Sequence, residues 1–402
     1  MKQVVMFKRV ATVLLLGAAL SGCSTVKGWF AGKDAEAKKA LEPAELVKFE
    51  QTVSVGKLWS TSVGKGEGRI GIRQAPAVAD GRVYAAAVEG GVRALDLQSG
   101  KQIWKYEPAK VKKQPKLRLS GGPGVGDGLV VIGTLDGQVI ALDANDGSEK
   151  WRAKVPGEVI TAPAVAQGLV FVRSNDGRIT AFDAADGERR WFNPRELPTL
   201  TVRGNAPVVT GPGVLFIGND DGSLAALSMQ DGRTIWDQQV GTPEGRTELE
   251  RMADVDGAPV LEGNILYATS FKSETLAIEG PTGRPLWSRD HGGAGGVALS
   301  SGLVVVTDSK GIVYGLDKNG GSALWSQQAL ARRSLTGAAI HGDYAVVGDY
   351  KGYLHWLRLD NGELAARARA GGDALLAQPV VVDGILLVQN VDGDLTAFRL
   401  GQ

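Results

Sequence analysis

The chain has 402 residues, with 45 basic and 44 acidic side chains and a formal net charge of +1. That balance gives no basic surplus for nucleic acid, and a hydrophobic content of 43% excludes general disorder. A glycine count of 56 points to a turn-dense β protein, and a single cysteine excludes an intrachain disulfide.

Residues 1–22 read as an export leader. Lys2, Lys8 and Arg9 make a basic start, and Val10 to Leu20 is an apolar run too short to span a bilayer comfortably. It ends in Leu20-Ser21-Gly22-Cys23, which resembles the bacterial lipoprotein box. The resemblance implies that Cys23 becomes the lipidated first residue. Ser24 after it implies sorting to the outer membrane, since aspartate is the usual retention signal. Two or more acyl chains anchor stably without a transmembrane helix. Loss of the leader leaves 42 of the 45 basic residues against 44 acidic ones.

Residues 23–51 read as a tether. Asp34 to Leu41 has helical composition and Pro43 breaks it. From residue 52 onward the chain is repetitive. Lys57-Leu58-Trp59 is the end of a repeat with no beginning in front of it. A full repeat is Asp136-Gly137-Gln138-Val139-Ile140-Ala141-Leu142-Asp143, then Asn145-Asp146-Gly147, then Trp151. Asp-Gly between apolar runs is a hairpin signal. The unbroken apolar run Val139 to Leu142 predicts a strand covered on both faces.

Copies centre on Ala94, Ala141, Ala181, Ala226, Ala277, Gly315, Trp356 and Ala397, most of them about 40 residues apart, the period of four-stranded propeller blades. Dipeptides such as Ala75-Pro76, Ala162-Pro163 and Gln378-Pro379 mark innermost strands, where proline is tolerated. Blade seven has Ala365-Ala366 where tryptophan is expected, with Trp356 one strand earlier. The last repeat stops at Gln402 before any Trp strand. The predicted fold is therefore all-β: an eight-bladed propeller of four-stranded antiparallel blades over 52–402. The N-terminal strand would close it by completing the last blade.

Two long connections interrupt the repeat. One runs from Asn193 to Gly204; the other runs from Gly241 to Gly257 and carries a predicted short helix over Thr247–Met252. Loops of this kind on a rigid scaffold are where binding tends to reside.

Ala-Leu-Asp, Asp-Gly and a closing Trp resemble the repeats of quinoprotein dehydrogenases. That resemblance implies a pyrroloquinoline quinone enzyme as one reading. The chain lacks the adjacent cysteine pair of that family, and His291, His341 and His355 lie in different repeats without metal-ligand spacing. No nucleophile motif or phosphate loop is present. The expectation is no enzyme, no cofactor and no metal.

From the lipobox through all eight repeats the chain resembles the BamB family, propeller lipoproteins of the machinery that inserts β-barrel proteins into the bacterial outer membrane. Its most specific segments are Leu197 to Gly204, Ala253-Asp254-Val255-Asp256 and Val347 to Trp356. The resemblance implies a scaffold on the periplasmic face of the outer membrane that docks the POTRA domains of BamA, with unfolded outer-membrane proteins as further partners. It implies docking positions Leu200, Val202, Arg203, Asp254 and Asp256. Chemically, Leu200 and Val202 are apolar on a loop, Arg203 can fork to a carboxylate, and the two aspartates could receive a basic partner. A purely internal arrangement, with Arg203 paired to Asp254 and Asp256 capping a turn, is the other reading of the same residues.

Overall fold

A computed structural model describes residues 42–66, 70–109, 116–201, 206–242, 244–272 and 274–401. The expected leader, Cys23, Val202 and Arg203 lie outside the described residues. Leu46–Gln402 is one compact unit.

The repeated Asp-Gly turns and apolar runs fold into eight four-stranded antiparallel sheets. Seven use four consecutive strands. The eighth joins Val380–Val382, Ile385–Gln389 and Asp394–Leu400 to the strand Val55–Ser62 from the other end of the chain. Closure runs in register from Val55 opposite Leu400 to Ser62 opposite Asp394. The fully apolar third strands are covered on both faces, as Val139 to Leu142 illustrate at 0% exposure. Prolines 76, 163, 259 and 379 each stand immediately before an innermost strand, where no ladder donor is lost.

The core lies between blades. Each pair of neighbouring blades shares one apolar cluster among the described residues, the eighth joining Val83, Ala85 and Leu95 of blade one to Ile385, Leu387 and Ala397 of blade eight. The tryptophans set the spacing. Trp151 faces Ala141 across its own blade, and its indole Nε1 donates to the Ala184 carbonyl of the next blade at 2.8 Å. The ring lies on a glycine of that blade's last turn: a Cβ on Gly187 (φ +75°) would come within 2.6 Å of it. Trp59, Trp104, Trp191, Trp236, Trp287 and Trp325 repeat both contacts. A β-bulge beside the position opposite each tryptophan turns the outer strand.

Blade seven departs for a reason that only the closed ring reveals. Its tryptophan would have to rest on the turn joining the last two strands of blade eight. Those strands come from opposite ends of the chain, so no turn joins them. The large and small partners are exchanged instead: Trp356 on the third strand faces Ala366 on the fourth. Trp356 is fully buried, and its Nε1 donates to His341 Nδ1 at 3.2 Å. The segment leading into the closing strand covers the vacated place, with the Thr52 N–H donating to the Ala365 carbonyl at 2.9 Å. Just before it, Phe49 lies under the Arg367 guanidinium, 5.0 Å from the ring centre.

Candidate interaction site

The two long connections leave blades three and four and meet at one groove of about 490 Å³, lined by Pro198, Thr199, Leu200, Asp220, Asp221, Glu244, Gly245, Glu248 and Arg251. The first loop is held at its base by Arg195. Its guanidinium donates to Asp221 Oδ2 at 2.5 Å, to Ser223 Oγ at 2.6 Å and to Asp237 Oδ2 at 2.7 Å. Burial opposes the Arg195 charge, yet these two carboxylates raise its pKa above the ordinary arginine value. Composition gave no sign of this clamp; its partners are on another blade.

The second loop carries the short helix Glu248–Arg251, within the predicted span. Thr247 starts it with a capping box: its Oγ1 accepts from the Glu250 N–H at 3.2 Å, and the Glu250 carboxylate accepts from the Thr247 N–H at 3.1 Å. Helix residues Glu248 and Arg251 therefore stand across the groove from Leu200. Leu200 is 43% exposed and Leu249 69% exposed. Both are apolar side chains carried at the surface by otherwise charged loops.

Asp254 and Asp256 are placed differently from the surface position expected of them. They are 0% and 3% exposed, because the chain after the helix dives into the propeller. Backbone bonds hold it there: the Val255 N–H donates to the Asn219 carbonyl at 3.0 Å, and the Phe271 N–H donates to the Asp254 carbonyl at 2.7 Å. Asp220 joins them, so that one carboxylate oxygen from each of the three residues lies within 4.8 Å of the others. Asp220 is paired with buried Arg173 at 2.8 Å. Burial pushes the Asp256 carboxyl up to about 7; nearby Arg73 opposes this, while Asp254 and Asp220 add to it. The alternation Asp-Val-Asp was visible in the sequence, but not Asp220 or the burial.

Near the axis a second cavity, of about 580 Å³, includes Arg73, Phe271, Asp308 and Asp256 in its wall. Among the described residues its lining holds no histidine or cysteine.

Fold and loops together define an eight-bladed propeller of quinoprotein-type repeats that displays a two-loop groove. A family profile described as Outer membrane protein assembly factor BamB matches residues 54–118, 90–327 and 309–400. A relative from Xanthomonas campestris pv. campestris with that same name is 74% identical over 405 aligned positions, covering 100% of both chains. The crystal structure of BamB from Moraxella catarrhalis superposes with a TM-score of 0.77 at 25% identity, over 86% of this chain and 100% of that one. A quinohemoprotein alcohol dehydrogenase from Comamonas testosteroni gives a TM-score of 0.66 at 17% identity, over 88% and 78% of the two chains; that likeness is one of fold alone. The chain belongs to the BamB family of outer membrane protein assembly factors, which are not enzymes.

Proposed function

We propose that the chain is a lipid-anchored scaffold on the periplasmic face of the outer membrane and that it docks the POTRA domains of BamA through the two-loop groove. The observation that carries this reading is the meeting of Leu200 with the helix Glu248–Arg251 across one groove. An apolar centre with charges around it is the usual anatomy of a specific interface. Arg195 and the capping box keep both loops rigid, which lowers the entropy lost on docking. In this reading Leu200, Val202 and Arg203 make the contact. Asp254 and Asp256, being interior, act by holding the second loop in place. Unfolded outer-membrane proteins are further candidates for the same face.

Capture of BamA from detergent-solubilised outer membrane tests the reading. Leu200→Asp should leave the melting temperature within about 1 °C of wild type, as surface substitutions usually do, and Arg203→Glu is compared in protein that melts as wild type does. Each should weaken capture roughly thirtyfold, the loss expected of an interface hot spot worth about 2 kcal/mol. Normal capture by both well-folded variants would remove the groove from the interface.

A further inference from the structure

We propose that Asp256 is a proton-operated latch for the second loop: while it carries its proton the root of the loop stays seated against blade four, and when it loses the proton the root loosens, together with the groove it lines. This goes beyond the docking reading and does not rest on it.

The root is the segment Ala253 to Gly257, which leaves the helix and enters the propeller. It fits blade four without slack. A Cβ on Gly218 would come within 2.5 Å of the Val255 carbonyl oxygen, and the Val255 N–H donates to the Asn219 carbonyl at 3.0 Å. This fit carries Asp256 inside, where it is 3% exposed. Neither of its carboxylate oxygens accepts a hydrogen bond among the described residues. One oxygen each of Asp256, Asp254 and Asp220 lie within 4.8 Å of one another. Asp220 is matched by Arg173 at 2.8 Å, and Asp254 has a partner of its own. Asp256 is left as a single buried carboxyl group with no donor and two acidic neighbours. A charge in that position is among the costliest in a protein interior, and a proton is what ordinarily removes it.

The charged groups around Asp256 have other contacts or the wrong sign. Arg173, at the end of the second strand of blade three, donates to Asp220 and to the Gly218 and Ala206 carbonyls. Arg73, on the connection into blade one, donates to the Ala294 carbonyl at 2.8 Å and reaches Asp256 only through its field. In the turn of blade five that follows Phe271, Lys272 donates to the Glu244 carbonyl and Glu274 accepts from the Thr242 N–H at 3.2 Å. Burial, opposed by Arg73 and reinforced by Asp254 and Asp220, therefore sets the carboxyl at about 7 in the seated loop. The axial cavity borders Asp256 and gives protons a route to it. The sign follows from linkage. The seated value lies above the ordinary 3.8, so the seated loop binds more protons than the released one. Seating is strongest in acid, weakens about tenfold per pH unit between those two values, and levels off above the higher one.

The test is amide hydrogen exchange on the full chain purified in detergent, followed by mass spectrometry from about pH 5 to about pH 8.5 and corrected for the intrinsic pH dependence of exchange. Peptides covering Ala253 to Gly257 and Phe271 report on the root. Their protection should fall about tenfold per pH unit up to about pH 7 and then level off. Asp256→Asn keeps the shape of the neutral acid and should hold its protection constant across the range. A local readout is needed because Asp349 and His355, both lowered in the folded chain, move global stability the other way. A second measurement needs no variant. Infrared spectra of wild-type protein labelled with carbon-13 at the aspartate carboxyls should show a buried protonated carboxyl at about pH 5 that is lost by about pH 8.5. The label separates it from Glu274, whose carboxyl burial also raises. Any of three results overturns the proposal: flat protection of the root in wild type, the same decline in a folded Asp256→Asn protein, or no labelled protonated carboxyl at the acid end.

Discussion

Trp356 and Ala366 show how a single register position governs the packing between blades. Elsewhere the fourth strand supplies the tryptophan and the third a small residue; here the assignment is reversed across the same pair. Trp151→Ala should cost about 3–5 kcal/mol, the usual range for truncating a buried aromatic. Trp356→Ala should cost a similar amount. Adding Ala366→Trp to it should not recover the loss, because no turn of blade eight offers the new indole a resting place. Chemical denaturation of the three proteins measures this; full recovery in the double variant would refute the account of blade seven. A second residue-level consequence concerns Asp349, which is wholly buried. Its desolvation favours the neutral acid. Hydrogen bonds from His355 Nε2 at 3.2 Å, from Arg333 Nε at 2.8 Å and from the Tyr353 and Lys351 N–H groups, with the Arg333 charge 2.7 Å away, outweigh that and hold the carboxyl at about 2. His355 is kept neutral by burial, and its Nδ1 accepts from Arg367 at 3.2 Å. Both folded-state values lie below the ordinary ones, so the unfolded chain binds more protons and stability rises with pH. The His355 contribution is complete above its ordinary value of 6.5 and declines below it. The Asp349 contribution, about 2 kcal/mol by linkage, is complete above its ordinary 3.8 and disappears as pH falls toward 2. Asp349→Asn should lessen the acid decline in a series of melts from pH 7 to pH 2; an unchanged acid limb would sink the assignment.

The strand Val55–Ser62 matters more than its length suggests. It covers the open edge of Asp394–Leu400, and it carries Trp59, whose Nε1 donates to the Leu97 carbonyl of blade one at 3.0 Å. It thus joins blade eight to blade one as well as completing blade eight. Deleting Ser54 to Val63 would leave an unpaired apolar edge, a template for aggregation, and would remove one indole from its glycine. The deletion protein should melt far below wild type and self-associate on size exclusion; an unchanged melting temperature would contradict closure by this strand. Repeats are easy to read from sequence because each blade solves the same packing problem with the same residues. The two half-repeats were legible for the same reason, since each lacks what the other has. The loops were legible only as interruptions. What they hold, and which of their charges turn inward, depends on Asp221, Asp237, Asp220 and Arg173, all from other segments.

At the scale of the whole molecule, the proposed function adds a lipid on Cys23 to the propeller. Among the described residues no helix is long and apolar enough to cross a membrane. Cys23→Ala should leave the folded propeller in the soluble periplasmic fraction and eliminate incorporation of labelled fatty acid; label persisting in the variant would refute Cys23 as the site. By itself the sequence determined the all-β class, the eight blades, the closing strand and the family. These follow from local patterns, turn chemistry and strand periodicity, which each segment carries within itself. The tertiary structure alone decided why blade seven exchanges its tryptophan and that Asp254 and Asp256 are interior. It also decided that Leu200 and the helix Glu248–Arg251 share a groove. Each of those depends on residues from distant parts of the chain meeting in space, and burial and pairing are properties of that meeting rather than of any one stretch.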